Sequence, residues 1–349
     1  MKQLLHLPRD WMRKVRRAAR QHFFPVLVTR GDNLKLPLLL IVDSVRRASP
    51  GRRLKLFRRL VPDLFATTPA SSTAFCEISS LAEFESGYAR LAAILGQPGK
   101  TPPPGEVEFL RTIGNRPMHY PGTIEGSDCF FLTAFISILA PQRVVEIGTL
   151  TGFSAAIIAA ALRRQPPGDS PRWVDSIDLA PRCFIDKTRP TGFEIMEVFP
   201  ELASMIRLHI PRDATVVKEL AEPEELEVAF IDADHQHPLP LLDLLRLAPY
   251  IRTGGWILLH DIQLASKARQ ANGADPTLRW GAAGGAELLF ESWPFRKISG
   301  GNIGAVQLPS DQSALIPFAL RLMSVPFEIE GGSARAAHCA LNRSFDALV

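Results

Sequence analysis

The sequence predicts an α/β protein built on a doubly wound, mostly parallel sheet, and three observations carry that prediction. From residue 143 onward, short apolar runs alternate with stretches of helical periodicity, the pattern of parallel strands covered on both faces. A glycine turn follows the first of those runs and leads straight into a helical stretch. Acidic residues stand at the ends of several runs, where open α/β sheets gather their ligand-binding groups. With 349 residues there is room for one large α/β domain with appendages, or for two modest domains.

In chain order, the strands are expected at residues 143–148, 172–178, 206–210, 228–232 and 256–260, each a run too short and too apolar to be a surface helix. Helical spacing places helices between them, for example over 153–164 and 240–247. Residues 295–308, with Ser299-Gly300-Gly301-Asn302 at their centre, read as a closing hairpin. Upstream, residues 66–73 form a small-residue linker, 81–95 resemble an acidic helix carrying Phe84, Tyr88, Leu91 and Leu95, and the proline-rich run 98–105 marks a boundary. Four regions follow: a basic helical region at 1–65, a linker with the acidic helix at 66–112, a catalytic domain at 113–309, and an extension at 310–349 without a recognisable motif.

Charge is distributed unevenly. Residues 1–59 hold 16 Lys and Arg against 3 Asp, leaving 24 basic against 33 acidic residues in the rest of the chain. Two basic amphipathic helices are expected, at 9–24 and 51–65. They could contact a membrane surface or a polyanion, or lie as a solvated face on the acidic body; the last is the simplest reading. The four cysteines are far apart without a C-x-x-C pairing, which argues against a zinc site or a disulfide framework and suits a cytoplasmic protein. The first residues do not read as a secretory signal, and the apolar run at 38–42 is too short to cross a bilayer.

The chemistry is expected to centre on Val144-Val145-Glu146-Ile147-Gly148-Thr149-Leu150-Thr151-Gly152-Phe153-Ser154. Gly148 permits a tight turn, and Gly152 permits close approach of a helix whose free N–H groups can receive a carboxylate. A dinucleotide site would need a glycine where Leu150 stands, so the turn suits an amino-acid-like ligand better. Asp178 ends the next strand, where it can either accept from both hydroxyls of a ribose or cap a helix. Asp213, after the third strand, could face an adenine amino group or simply occupy a turn. Asp232-Ala233-Asp234-His235, with Asp243 and then His260-Asp261, brings acids and imidazoles to adjacent strand ends. Asp232 and Asp261 could hold Mg²⁺ and so acidify a substrate hydroxyl, or cap helices; His235 or Asp234 could take the proton directly.

Together these residues resemble the class I S-adenosylmethionine-dependent methyltransferases, and among them the small-molecule O-methyltransferases related to the catechol, caffeoyl-CoA, macrocin and cephalosporin-pathway enzymes. The likeness runs over roughly residues 115–308. It rests on Glu125-Gly126-Ser127 to Phe131-Leu132, Glu146-Ile147-Gly148 with Thr151-Gly152-Phe153-Ser154, Ile231-Asp232-Ala233-Asp234-His235 with Asp243, and Gly254-Gly255 with His260-Asp261. The resemblance implies a Rossmann-like sheet of seven strands ending in an antiparallel hairpin. It implies S-adenosylmethionine held by Glu146, Gly148, Thr149 and Gly152 at its methionine part, by Asp178 at the ribose, and with Asp213 and Asp232 nearby. It implies metal carboxylates at Asp232 and Asp261, with His260 beside them. The sequence departs from the catechol-type pattern at Ile262, where an asparagine ligand is usual, and from the macrocin-type pattern at His260, where an acid is usual.

The expected activity is methylation of a hydroxyl on a small molecule or glycoside. No Asn-Pro-Pro-Tyr type segment follows the fourth strand, which disfavours methylation of base amino groups. Two alternatives remain open: methylation of RNA gripped by the basic region, and a catalytically silent adaptor that binds membranes or partners. Self-association of the chain is likewise left open.

Overall fold

The computed structural model describes residues 73–348 apart from 114, 115, 117, 169 and 276–282. The basic helices expected at 9–24 and 51–65 lie outside the described residues. The described residues divide between two units, residues 315–326 in the first and residues 73–314 with 327–348 in the second. Of the first, the described part is a helix over Leu315–Met323. All that follows concerns the second.

Its frame is one eight-stranded sheet. The strands are β1 (Thr73–Phe75), β2 (Arg143–Ile147), β3 (Trp173–Ile177), β4 (Ile206–His209), β5 (Leu226–Ile231), β6 (Ile251–Leu259), β7 (Lys297–Ser299) and β8 (Gly304–Gln307), in the order β1-β7-β8-β6-β5-β2-β3-β4. β2 to β6 are parallel, and β8 runs antiparallel to both β6 and β7. The α/β class, the five parallel strands and the closing hairpin are as the sequence predicts. The eighth strand is a departure: β1 pairs in parallel with β7 at the sheet edge, beginning at Thr73, the last residue read as linker. Three residues are too few for any periodicity to reveal a strand.

β2 is buried along its whole length and β5 nearly so, which explains why both are continuous apolar runs rather than alternating ones. The chain starts at β2, winds outward through β3 and β4, then returns to β5 on the other side, so the strand order reverses between β2 and β5. The carboxyl ends of these two strands therefore border the crevice in which open α/β sheets bind ligands.

Helices α1 (Phe84–Ile94), α2 (Glu106–Ile113), α3 (Ser127–Leu139) and α4 (Phe153–Arg163) precede β3. α3 is apolar almost all round and buried almost all round, with Phe131, Phe135 and Ile136 wholly shielded. α4 buries Ala155, Ala156, Ala159, Ala160 and Ala161, small side chains that let it lie close to its neighbours. Farther on come α5 (Phe193–Glu197), α6 (Val217–Leu220), α7 (Leu239–Leu247), α8 (Leu264–Ala274) and α9 (Gly285–Ser292). Within 310–349, where the sequence shows no motif, this unit holds a further helix over Gly331–Leu348. No helix of the described residues is long and apolar enough to cross a membrane.

Candidate active site at the carboxyl ends of β2, β3, β5 and β6

The glycine turn forms as the sequence requires. Gly148 (φ 99°) and Gly152 (φ 90°) both occupy the left-handed region, and between them Leu150 is held at φ 47°, a conformation that costs an ordinary side chain energy. A Cβ on Gly152 would meet Ile195 at 2.6 Å, so the glycine lets α4 start against α5. Gly148 donates to the Ile177 carbonyl and Asp232 to the Ile147 carbonyl, both at 2.8 Å, which stitches three strand ends together.

Glu146 is fully buried behind this turn. Ser176 donates to its Oε2, while Oε1 has no hydrogen-bond partner. Burial pushes its carboxyl up to about 8; the Ser154 and Ser176 hydroxyls oppose this, and the charges of Asp232 and Asp178 add to it. An unsatisfied buried acceptor beside an open turn is a group waiting for a donor. Thr149 lies 2.7 Å from Ser176, hydroxyl to hydroxyl, and so joins the same network.

Asp178 stands at the end of β3 as expected, but its carboxylate turns back on the glycine turn. Oδ2 accepts from the Thr149 and Leu150 amides at 3.0 and 3.1 Å, and Oδ1 from the Ala180 amide at 2.8 Å. It braces the turn; Oδ2 has both lone pairs engaged and Oδ1 keeps one free. Asp213 caps the short turn after β4, accepting from the Thr215 amide at 3.1 Å, and pairs with Arg246 at 3.2 Å. Asp243 is partly buried on α7 and lies 3.4 Å from the same arginine; desolvation pushes its carboxyl up to about 7.

The acids and imidazoles of β5 and β6 do converge. His260 Nδ1 is 2.8 Å from Asp232 Oδ1, and its Nε2 is 3.3 Å from Asp128 Oδ2 on α3. Burial alone would lower the His260 pKa, but Asp232, the hydrogen bond to Asp128 and the charge of Asp261 carry it well above the ordinary histidine value. Asp232 moves the other way: its burial is outweighed by His260 and His235, which hold it below the usual carboxylate range. His260 thus lies clasped between two carboxylates.

His235 Nε2 lies 3.1 Å from Asp261 Oδ2 and 3.8 Å from Asp232 Oδ1. Asp261 sits at φ 59°, just past the end of β6, and Asn302 donates to its Oδ1 at 2.7 Å. Asp234 is exposed, and its Oδ1 accepts from the Gln236 amide at 2.9 Å within a local turn.

Two contributors escape the sequence reading. Asp128 comes from the first turn of α3 and Asn302 from the hairpin turn. The glycines at 300 and 301 flag that turn, and Gly300 is pressed so close to α3 that a Cβ would lie 2.1 Å from the Phe131 ring. The amide missing at Ile262, which is a buried apolar residue, is supplied against Asp261 by Asn302 instead.

Among the described residues, Asp232, His235 and His260 offer ligand atoms within 4.8 Å of one another. Two imidazoles and one carboxylate are a poor donor set for Mg²⁺, which prefers oxygen. Asp261, the second carboxylate, lies against His235 at 3.1 Å and accepts from Asn302 at 2.7 Å.

Comparison with known proteins places residues 145–262, from β2 to just past β6, in a match to the family model described as a methyltransferase domain. Among solved structures the chain is similar to the O-methyltransferase TomG from Streptomyces achromogenes, involved in tomaymycin synthesis and in complex with SAM, at 14% identity over 58% of this chain and 82% of that one, with a TM-score of 0.33. It is similar to the O-methyltransferase from Bacillus cereus in complex with SAH, at 16% identity over 65% and 99% of the two chains, TM-score 0.37. A third is the SAH-bound methyltransferase PaMTH1 from Podospora anserina, at 17% identity over 51% and 71%, TM-score 0.33. No curated protein matches the chain.

Proposed function

We propose that this protein, whose residues 145–262 match a methyltransferase domain, methylates a hydroxyl of a small-molecule acceptor with S-adenosylmethionine as donor. The observation that carries this reading is the contact, at the switch point of the sheet, of the Gly148 turn with the backbone of Asp232, whose side chain lies 3.8 Å from His235. When bound, S-adenosylmethionine supplies a sulfonium methyl as the electrophile.

The residues of the chain have three tasks. Glu146 Oε1 accepts a hydrogen bond from the ammonium of the amino-acid end, which satisfies its orphaned oxygen. Asp178 uses the remaining lone pair of Oδ1 for a ribose hydroxyl while it keeps the turn braced. Asp261, fixed by Asn302, orients His235 by accepting from its Nε2–H, which leaves Nδ1 as the nitrogen that takes the proton from the acceptor hydroxyl. We assign the base to His235 rather than Asp234, because Asp234 is exposed and engaged in its own turn. His260, held by Asp232 and Asp128, fixes the floor of the site.

Incubation with methyl-labelled S-adenosylmethionine and a panel of phenolic and glycosidic hydroxyl compounds tests this reading. Label should enter an oxygen, and chelation by EDTA should leave the rate unchanged. Dependence of the transfer on added Mg²⁺ would overturn the assignment of the base.

A further inference from the structure

The turn is flanked by a buried arginine whose partners leave it incompletely paired. Arg116 lies between α2 and α3, and its guanidinium carbon sits 3.7 Å from the centroid of Phe153, the first residue of α4. Its Nη2 donates to Thr123 Oγ1 at 2.7 Å and its Nε to His119 Nδ1 at 3.3 Å. Nη1 has no hydrogen-bond acceptor. It faces Glu194 Oε2 at 3.6 Å, an oxygen that itself lacks a donor, and both side chains are 1% exposed. Glu194 belongs to the same locality, because its amide donates to the Thr151 carbonyl at 2.9 Å.

A buried ion pair repays its desolvation only when its hydrogen bonds are made. This one leaves an N–H group and a carboxylate oxygen unsatisfied at a separation beyond hydrogen-bond length. The unmet need is an acceptor for Nη1 at the N-terminus of α4, where the Phe153 amide is engaged only by Thr151 Oγ1 at 3.3 Å. A carboxylate meets that need, since it matches the planar guanidinium fork and is favoured by the helix N-terminus.

We propose that Arg116 and the first turn of α4 form the subsite for the carboxylate at the amino-acid end of the nucleoside cofactor, which competes with Glu194 for the guanidinium. The proposal rests on the methyltransferase reading above. It adds that the chain distinguishes the complete cofactor from a bare thionucleoside through one arginine.

Calorimetric titration of the full chain with S-adenosylhomocysteine and with 5′-methylthioadenosine, which lacks the amino-acid end, tests it. Arg116→Met should weaken S-adenosylhomocysteine by about 10- to 100-fold, the range for a lost charged hydrogen bond, and leave 5′-methylthioadenosine within about twofold of wild type. Equal losses for both ligands would make Arg116 a prop of the fold and overturn the subsite, as would an unchanged affinity for S-adenosylhomocysteine. Should Arg116→Met not fold, Glu194→Gln decides. Removing the competing carboxylate should tighten S-adenosylhomocysteine by about threefold or more without changing 5′-methylthioadenosine; a loss of affinity would contradict the subsite. Wild-type protein that binds neither ligand would instead remove the cofactor reading itself, and the subsite with it.

Discussion

A Cβ placed on Gly148 would lie 2.0 Å from the backbone carbonyl oxygen of Asp232. The turn after β2 and the acidic end of β5 are thus in backbone contact, and no side chain fits between them. Gly148→Ala must part the two strand ends and adopt a strained φ, at a cost on the order of 2–4 kcal/mol. In a thermal melt its midpoint should drop by several degrees. The stabilisation of about 2.7 kcal/mol that ligand at about 100 times its dissociation constant provides, roughly 5–11 °C here, should also be lost for S-adenosylhomocysteine. A wild-type shift in Gly148→Ala would contradict the placement of the site.

His235 carries the proton in this account and touches no strand hydrogen bond. His235→Ala should therefore lower kcat by about 10²- to 10⁴-fold while the dissociation constant for S-adenosylhomocysteine stays close to wild type. Single-turnover rates and titration calorimetry on the same preparation separate the two effects. A full rate in His235→Ala would move the base elsewhere.

Glu106, the first residue of α2, is wholly buried with Oε2 unpartnered. Burial pushes its carboxyl from 4.5 up to about 7, against the Ser137 hydrogen bond and the positive charges of Arg164 and Lys100. The folded state then holds this proton more tightly than the unfolded chain. Stability is therefore fully present below the unfolded value and falls as pH rises toward about 7. Glu106→Gln keeps an acceptor for Ser137 and cannot ionise. It should leave stability nearly unchanged at about pH 4 and raise it by roughly 3 kcal/mol at about pH 8. Urea midpoints at the two pH values check this, and equal effects at both would contradict it.

Asp175 of β3 accepts from Arg143 Nε at 2.6 Å and from Trp173 Nε1 at 2.8 Å, and faces His209 Nε2 at 2.7 Å. Asp175→Ala strands a buried guanidinium and should cost about 3–5 kcal/mol. Because this cluster lies along the strands rather than at their carboxyl ends, S-adenosylhomocysteine affinity should change by less than about threefold in protein that remains folded. Denaturant unfolding and calorimetry together test the separation.

What the sequence discloses is what local geometry decides. Gly148 and Gly152 are legible because an abrupt strand-to-helix turn demands residues that tolerate positive φ, and β2 and β5 are legible because both faces are covered. Strand-end position also identifies Asp178, Asp213, Asp232 and Asp261. The direction in which each carboxylate turns is not encoded locally: Asp178 bends onto the Thr149 and Leu150 amides, and Asp213 onto Thr215 and Arg246. Asp128 and His260 are 132 residues apart and meet only because α3 packs beside the end of β6. Asn302 reaches Asp261 across the hairpin for the same reason. Arg116 carries no pattern at all; its importance lies in an atom left unpaired by tertiary packing.

Hydrogen–deuterium exchange with and without saturating S-adenosylhomocysteine tests the central claim most directly. The account predicts slower exchange in peptides that cover residues 146–154 and 176–180, with the β7–β8 edge of the sheet unaffected. Saturating ligand that leaves those two segments exchanging as in the free protein would contradict it.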